Sequence, residues 1–346
     1  WKPRHCRTPG QRRSSRSGLR PQTGAATVRI LEVSAGAGAG YAGLLLSQLR
    51  FEVDRIDQSD GPSGQDPFLH RDKSEIESAP DLAVYGALIE DVGTDGLRRM
   101  GWSYDSLKRD YPDLVIVSLS PFGLTGPYKD WQATDLIAQA AGGVMHVTGF
   151  RGEAPLKIPG DTAAMIAGIH GATAVVTAIF GLEEGVEERI HIDISTQDTL
   201  MHHWTRHIAE YAYSGTRMHR PERNAEGIHA HHTAMAKDGW IFMLALGVPW
   251  QDVAAFLGLG EFVEFSGDGR QPSWDTMEES FDAAVAVKSK YEWFEEAAAM
   301  GWTFAPLEDP FDIMSNPQSA ARSFFETREI DGQPVRMPRL PFRIES

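Results

Sequence analysis

The chain of 346 residues is too long for one small core and, at typical domain sizes, folds as about two domains. Hydrophobic residues make up 42% and charged residues 23%, the balance of a soluble globular protein. A net charge of -15 argues against nucleic acid or an anionic membrane surface as the general partner, so an anionic ligand has to be met by local basic groups.

Residues 1–26 hold seven Lys or Arg and no Asp or Glu, which reads as a disordered basic tail outside the fold rather than a targeting segment. The single cysteine, Cys6, lies in that tail; it excludes an internal disulfide or a cysteine-only zinc site and suits a reducing cytoplasm.

The first structured stretch, "VRILEVSAGAGAGYAGLLLSQLRFEVDRID" (28–57), reads strand, glycine turn, helix, strand. Gly38, Gly40 and Gly43 form G-x-G-x-x-G, and Asp57 follows nineteen residues after Gly38, the spacing of a dinucleotide-binding unit. Glycines at such a turn admit any phosphate or carboxylate to a helix amino terminus, so the pattern names a scaffold and not a cofactor. No His or Lys is placed by a motif for hydride transfer, and no nicotinamide is expected.

Further along, 58–67 is loop, 81–91 a buried strand, 97–112 a helix ended by Pro112, and "LVIVSLS" (114–120) a β-branched strand followed by the turn-rich "PFGLTGPY" (121–128). Residues 133–149 read as helix running into a Gly-rich stop. The apolar run 163–181 nearly reaches membrane length, but its Ala, Gly and Thr content and its acidic flank suit a helix buried between layers. Strand 188–196 and helix 197–213 complete an alternation that implies a Rossmann-like, open parallel sheet in an α/β large domain. From 214 the texture changes to loop, a strand-turn-strand around "KDG", and acidic helices from 250 to 300, read as a smaller α+β domain. The expected division is 27–213 large domain, 214–305 small domain and 306–346 a carboxyl-terminal segment returning to the large one.

Several separated stretches then resemble, in order, the family III CoA-transferases, the CaiB/BaiF group that includes α-methylacyl-CoA racemase as an isomerase branch. They are "YPDLVIVSLSPFGLTGPY", "DLIAQAAGGVMHVTG", "GDTAAMIAGIHGATAVVTAIFG", "IHIDISTQDTLM", "KDGWIFMLAL", "GWTFAPLEDPFDIMSNPQSAARSFF" and "PFRIES". The resemblance implies the family III fold, an interlocked homodimer, and coenzyme A as part of an acyl-CoA substrate with a small carboxylic acid as acceptor. It also implies that the glycine turn, with Ser34, Gly38 and Gly40, lines the CoA pocket. Here "GAGY" (38–41) replaces the family's Ala-Gly-Pro-Tyr, so Gly40 creates the apparent dinucleotide fingerprint by substitution.

By the same resemblance Asp161 is the nucleophile, forming an aspartyl anhydride and then an aspartyl-CoA thioester, and Asp135 is an acidic residue near it. Read alone, Asp161 is a helix N-cap, a role that contributes about 1 kcal/mol. The racemase branch places its catalytic histidine immediately before the acidic position, where this chain has Thr134, so transferase outranks racemase. A CoA-thioester-binding protein without turnover is the other alternative. Arg71 and Lys73 in "HRDK", with Arg98 and Arg99, are candidates for the CoA phosphates, although Asp72 stands where the family has glycine. Gly123 and Gly126 would let the backbone approach a ligand at the strand's end. A family flap is expected after 213, here with only Gly215 and Gly227. The histidines His203, His207, His229, His231 and His232 complete no recognised ligand spacing, and no metal is expected.

Overall fold

A computed structural model describes residues 28–59, 61, 66–185, 190–220, 231–245, 247–262 and 274–343. The basic tail, most of the expected flap and His229 lie outside these residues.

In chain order the elements are β1 (Arg29–Ser34), α1 (Ala37–Gln48), β2 (Glu52–Asp57), α2 (Asp66–Leu69), β3 (Ser74–Glu75), β4 (Ala87–Glu90), α3 (Gly93–Arg99), α4 (Tyr104–Asp110), β5 (Val115–Ser120), α5 (Asp135–Ala141), α6 (Val144–Val147), α7 (Thr162–Glu183) and β6 (His191–Ser195). There follow α8 (Thr196–His203), α9 (Thr205–Ser214), β7 (His231–Ala236), β8 (Gly239–Leu244), α10 (Trp250–Leu257), α11 (Trp274–Val285), α12 (Lys290–Ala299), β9 (Thr303–Pro306), α13 (Pro310–Ser315), α14 (Pro317–Ala321), β10 (Phe325–Ile330) and β11 (Gln333–Pro338).

Strands β1 to β6 form one parallel sheet in the order β3-β2-β1-β4-β5-β6, with helices on both faces. The alternation along each strand decides the layering: Ile30, Ile89, Val117 and Leu119 pack under α1 and α7, while Leu31, Val33, Leu88 and Ile116 pack with Leu97 of α3 and Leu107 of α4. Strand order reverses between β1 and β4, and such a switch point opens a crevice at the carboxyl ends of the strands. A second, antiparallel sheet, β7-β8-β9, carries α10 to α12 over a core that includes Trp293, Phe281 and Ile241. The β10–β11 hairpin is tied to the large sheet's flank, where Arg71 donates to the Pro338 carbonyl at 2.7 Å and Arg328 donates to Asp72 at 2.6 Å.

Three helices read as continuous in the sequence are broken. Gly101 at φ +79 and the Ser103 capping box split 97–112 into α3 and α4; Gly143 at φ +82 separates α5 from α6; Trp204 separates α8 from α9. The first two breaks follow local capping or a left-handed glycine that apolar periodicity alone does not register, whereas Trp204, at φ -94 and ψ 27, ends α8 and opens α9 without a side-chain cap.

The long apolar helix also differs from expectation. It is long and apolar enough to cross a membrane, yet it packs by one face only: Ala163, Ala167, Gly171 and Val175 are buried, while Ile169, Val176 and Phe180 are exposed. Its crossing with α1 is close because Gly168 has no side chain; a Cβ there would lie 2.6 Å from the Gly38 carbonyl oxygen.

Candidate active site

Asp161 heads α7 at the carboxyl ends of the strands. A Cβ on Gly38, just past β1, would sit 3.6 Å from the Ala164 carbonyl oxygen, which places the first turn of α7 beside the switch point. Gly160, at φ +72, makes the turn that delivers Asp161, and the Thr162 hydroxyl donates to the Pro159 carbonyl at 2.7 Å. Asp161 is half-buried at the N-cap position, but its side chain makes no capping bond to its own helix.

Asp135 does that work from the first turn of α5. Its Oδ1 accepts from the Ala163 N–H at 2.7 Å, and its Oδ2 accepts from Lys157 Nζ at 2.7 Å and from Gln139 Nε2 at 2.6 Å. Lys157 also donates to the Gly160 carbonyl at 2.6 Å, and Gln139 exchanges two hydrogen bonds with the Ile158 backbone at 2.8 and 2.9 Å. The 157–163 segment is therefore fixed on both sides of Asp161, with the Asp135 carboxylate at the centre of the network. Lys157 and Gln139 were not legible as site residues: the Lys157–Asp135 pair spans 22 positions and no local motif marks it.

The glycine turn is filled by the protein itself. The Asp91 carboxylate, at the end of β4, accepts from the Ala35 N–H at 2.7 Å and from the Ala39 N–H at 3.0 Å. In a dinucleotide-binding protein a pyrophosphate takes that position at the helix amino terminus, so an incoming phosphate here would meet a carboxylate. The only sequence signal for Asp91 was its place at the end of the 81–91 strand. Gly43 serves packing as well: a Cβ there would lie 1.8 Å from Glu32 Oε2.

Burial raises the Asp91 carboxyl to about 7, against the pull of its two N–H donors, with Glu90 and Glu32 adding to the rise. Between the ordinary carboxylate range and about pH 7 the native state then holds a proton that the unfolded chain has released, so stability falls as pH rises through that window. Thermal melts of the wild type and Asp91→Asn from pH 4.5 to 8 are expected to show the wild type losing ground steadily against the variant. Parallel curves would refute this.

The remaining candidates divide into two groups. Ser34, Gly38 and Gly40 are buried; the Ser34 hydroxyl donates to Glu32 Oε1 at 2.7 Å, and the Gly40 carbonyl accepts from Lys73 Nζ at 2.7 Å. The Lys73 side chain is 1% exposed and pairs with Glu32 at 2.5 Å; the Arg71 side chain is 4% exposed, stacked 4.4 Å over Phe68 and bonded to the Phe68 and Pro338 carbonyls. These side chains brace α1 and the hairpin. By contrast Arg98 and Arg99 are exposed on α3, with Arg98 paired to Asp95 at 2.7 Å. Gly123 and Gly126, at φ +87 and +85, shape the loop after β5, where the Leu124 N–H donates to Asp193 at 2.9 Å. That loop presents Tyr128 and Trp131, ring centroids 4.3 Å apart and both exposed.

The rings of His170, His202 and His203 cluster at the α7–α8 contact, but His203 Nδ1 and His170 Nδ1 bond to the Thr199 and Ile166 carbonyls. Among the described residues no group of three or more His, Cys, Asp or Glu could hold a metal ion.

A doubly wound α/β protein with a carboxylate at the N-cap position of the helix beside its switch point is the class these features define. The profile of CoA-transferase family III matches residues 86–346, and the chain belongs to that family. It is 24% identical over 275 residues to succinyl-CoA:(R)-benzylsuccinate CoA-transferase subunit BbsE of Thauera aromatica, covering 74% of this chain and 65% of that protein. It is 25% identical to succinate–glutarate CoA-transferase of Agrobacterium fabrum, over 68% of this chain and 67% of that one. The aligned stretch thus spans about two thirds of these relatives. A CaiB/BaiF family protein from Brucella suis has the same fold, with a TM-score of 0.77 at 22% identity over 92% of this chain and 91% of its own.

Proposed function

We propose that the chain transfers CoA from an acyl-CoA thioester to a small carboxylic acid, with Asp161 as the nucleophile. The observation that carries this reading is the placement of Asp161 at the amino end of α7, at the strands' carboxyl ends, on a segment that Asp135, Lys157 and Gln139 immobilise. Asp161 stands at the amino end of a 22-residue helix, the end that attracts anionic groups.

In the first step an Asp161 oxygen attacks the thioester carbonyl, the C–S bond breaks, and CoA leaves as thiolate with a mixed anhydride behind it. The thiolate attacks the Asp161 acyl carbon and releases the donor acid as carboxylate, which leaves an aspartyl-CoA thioester. The acceptor carboxylate then attacks that thioester, and the sequence runs in reverse to give the new acyl-CoA and free Asp161. No net proton moves. Arg98 and Arg99, exposed in the last turn of α3, are the groups suited to the CoA phosphates, since Arg71 and Lys73 are held internally.

Mass spectrometry after incubation with a panel of acyl-CoA thioesters, with and without hydroxylamine, tests this mechanism. A CoA adduct, converted by hydroxylamine to a hydroxamate on the Asp161 peptide, is the expected result; turnover without modification of that peptide would sink it. An α-proton exchange reaction is disfavoured because Thr134 stands immediately before Asp135 and supplies no second base.

The working form is proposed to be a homodimer. Ile169, Val176 and Phe180 on α7, and Ile208 and Tyr211 on α9, are large apolar side chains exposed on a single copy, as an interface between copies would leave them. Light scattering on the eluting species is expected to give twice the chain mass, and a monomer at micromolar concentration would contradict it.

A further inference from the structure

A cavity of about 620 Å³ lies between the carboxyl end of α1, the loop before β3 and the β10–β11 hairpin. Five arginines line it, Arg50, Arg322, Arg328, Arg339 and Arg343, against two carboxylates, Asp72 and Glu326. Both carboxylates are engaged: Arg328 donates to Asp72 at 2.6 and 3.1 Å and to Glu326 at 2.7 Å. Among the described residues Arg50, Arg322, Arg339 and Arg343 form no ion pair, in a chain whose net charge is -15. Four exposed arginines in excess of the lining carboxylates give the cavity a local positive potential that attracts an anion.

The backbone around the cavity is unusual in the same place. Arg50, Asp72 and Ser323, at φ +74, +64 and +49, are three of the four non-glycine residues in the left-handed region among those described, and all three line this cavity. Non-glycine residues adopt that conformation seldom, and such residues gather where a site is built. Phe324 and Phe342 supply flat apolar faces beside the guanidinium groups.

We propose that this cavity binds the polyphosphate group of a nucleotide, with its base against the phenylalanines. Guanidinium forks match phosphate oxygens in pairs, and the volume falls within the range of small-molecule sites, about 300–1,000 Å³. The site is separate from Asp161. Gln48 ends α1 and Arg50 precedes the first residues of β2, at the amino-terminal ends of the strands, whereas Asp161 lies at the opposite ends; the twelve residues of α1 span ~18 Å.

Two sources share this chemistry, a free nucleoside polyphosphate and the 3′-phospho-ADP half of CoA, and one titration separates them. Calorimetry of the full chain with ATP is expected to show one site per chain, weakening with salt, and at least tenfold weaker in the exposed double variant Arg322→Glu/Arg339→Glu. CoA that competes with ATP and weakens in the same variant assigns the cavity to the CoA half. CoA affinity unchanged by the variant assigns it to a free nucleotide. No ATP binding at millimolar concentration, or binding that survives charge reversal in a variant of native circular dichroism, would overturn the proposal.

Discussion

Asp161→Asn is expected to lower kcat by roughly 10⁴-fold, because removing a covalent nucleophile deletes the intermediate and not merely an interaction. The amide is nearly isosteric and sits at an N-cap where asparagine is as well tolerated as aspartate, so the fold should be unaffected. The capping bond to the first turn of α7 comes from Asp135 and not from Asp161, which removes the usual structural objection to this substitution. Binding of the unreacted acyl-CoA should therefore persist while the hydroxylamine-trapped product disappears. A variant that retains more than about a tenth of wild-type turnover would place the nucleophile elsewhere.

The same measurement separates reaction from positioning. In Lys157→Met the Asp135 carboxylate loses one of its three donors and the Gly160 carbonyl loses its partner, so the turn carrying Asp161 loosens while the nucleophile remains. A misplacement on the order of 1 Å costs about 100-fold in rate, so a fall of about 10- to 100-fold in kcat with the adduct still forming slowly is the expected result. Lys157→Arg, which keeps the charge, should recover part of that loss. Equal losses in the two variants, with no adduct in either, would assign Lys157 a part in the chemistry itself.

The layering of the large sheet was readable from the sequence because β1, β4 and β5 are short apolar runs separated by helical segments, a pattern set by burial on both faces. The helix breaks at Gly101 and Gly143 were not, because a capping box or a left-handed glycine acts within four residues and leaves the apolar periodicity on either side intact. In the site, Asp161 was legible only through the family motif, since Gly-Asp before a helix has an ordinary meaning. Asp91 and Lys157 act across 52 to 56 and 22 positions respectively, and a contact that long leaves no trace in local pattern. The apparent dinucleotide fingerprint misleads for a related reason. Gly43 is there for the Glu32 carboxylate, while a Cβ on Gly38 or Gly40 would make only ordinary contacts at 3.5 Å or more, so the one glycine of the three that sterics require answers to a packing partner outside the motif.

The phosphate candidates in "HRDK" receive a sharper test from Lys73→Met. Lys73 Nζ donates to Glu32 Oε2 at 2.5 Å and to the Gly40 carbonyl at 2.7 Å, with both charged side chains almost fully enclosed under α1. Burial pushes the Glu32 carboxyl up and the Lys73 amine down, each against the attraction of the other. Arg55, 3.8 Å from Glu32, is too distant to replace the lost bond. Removing one partner of such a pair leaves a buried charge and costs about 3–5 kcal/mol, so the midpoint of urea unfolding should fall sharply. With the amine gone the enclosed carboxyl takes up a proton more readily in the folded chain than in the unfolded one, and the deficit should shrink as pH falls toward the carboxylate range. The Michaelis constant for the CoA donor should change little in Lys73→Met at a temperature where the variant is folded, and rise in Arg99→Ala on the exposed face of α3. A stable Lys73→Met variant with a large rise in that constant would return the lysine to the phosphate site.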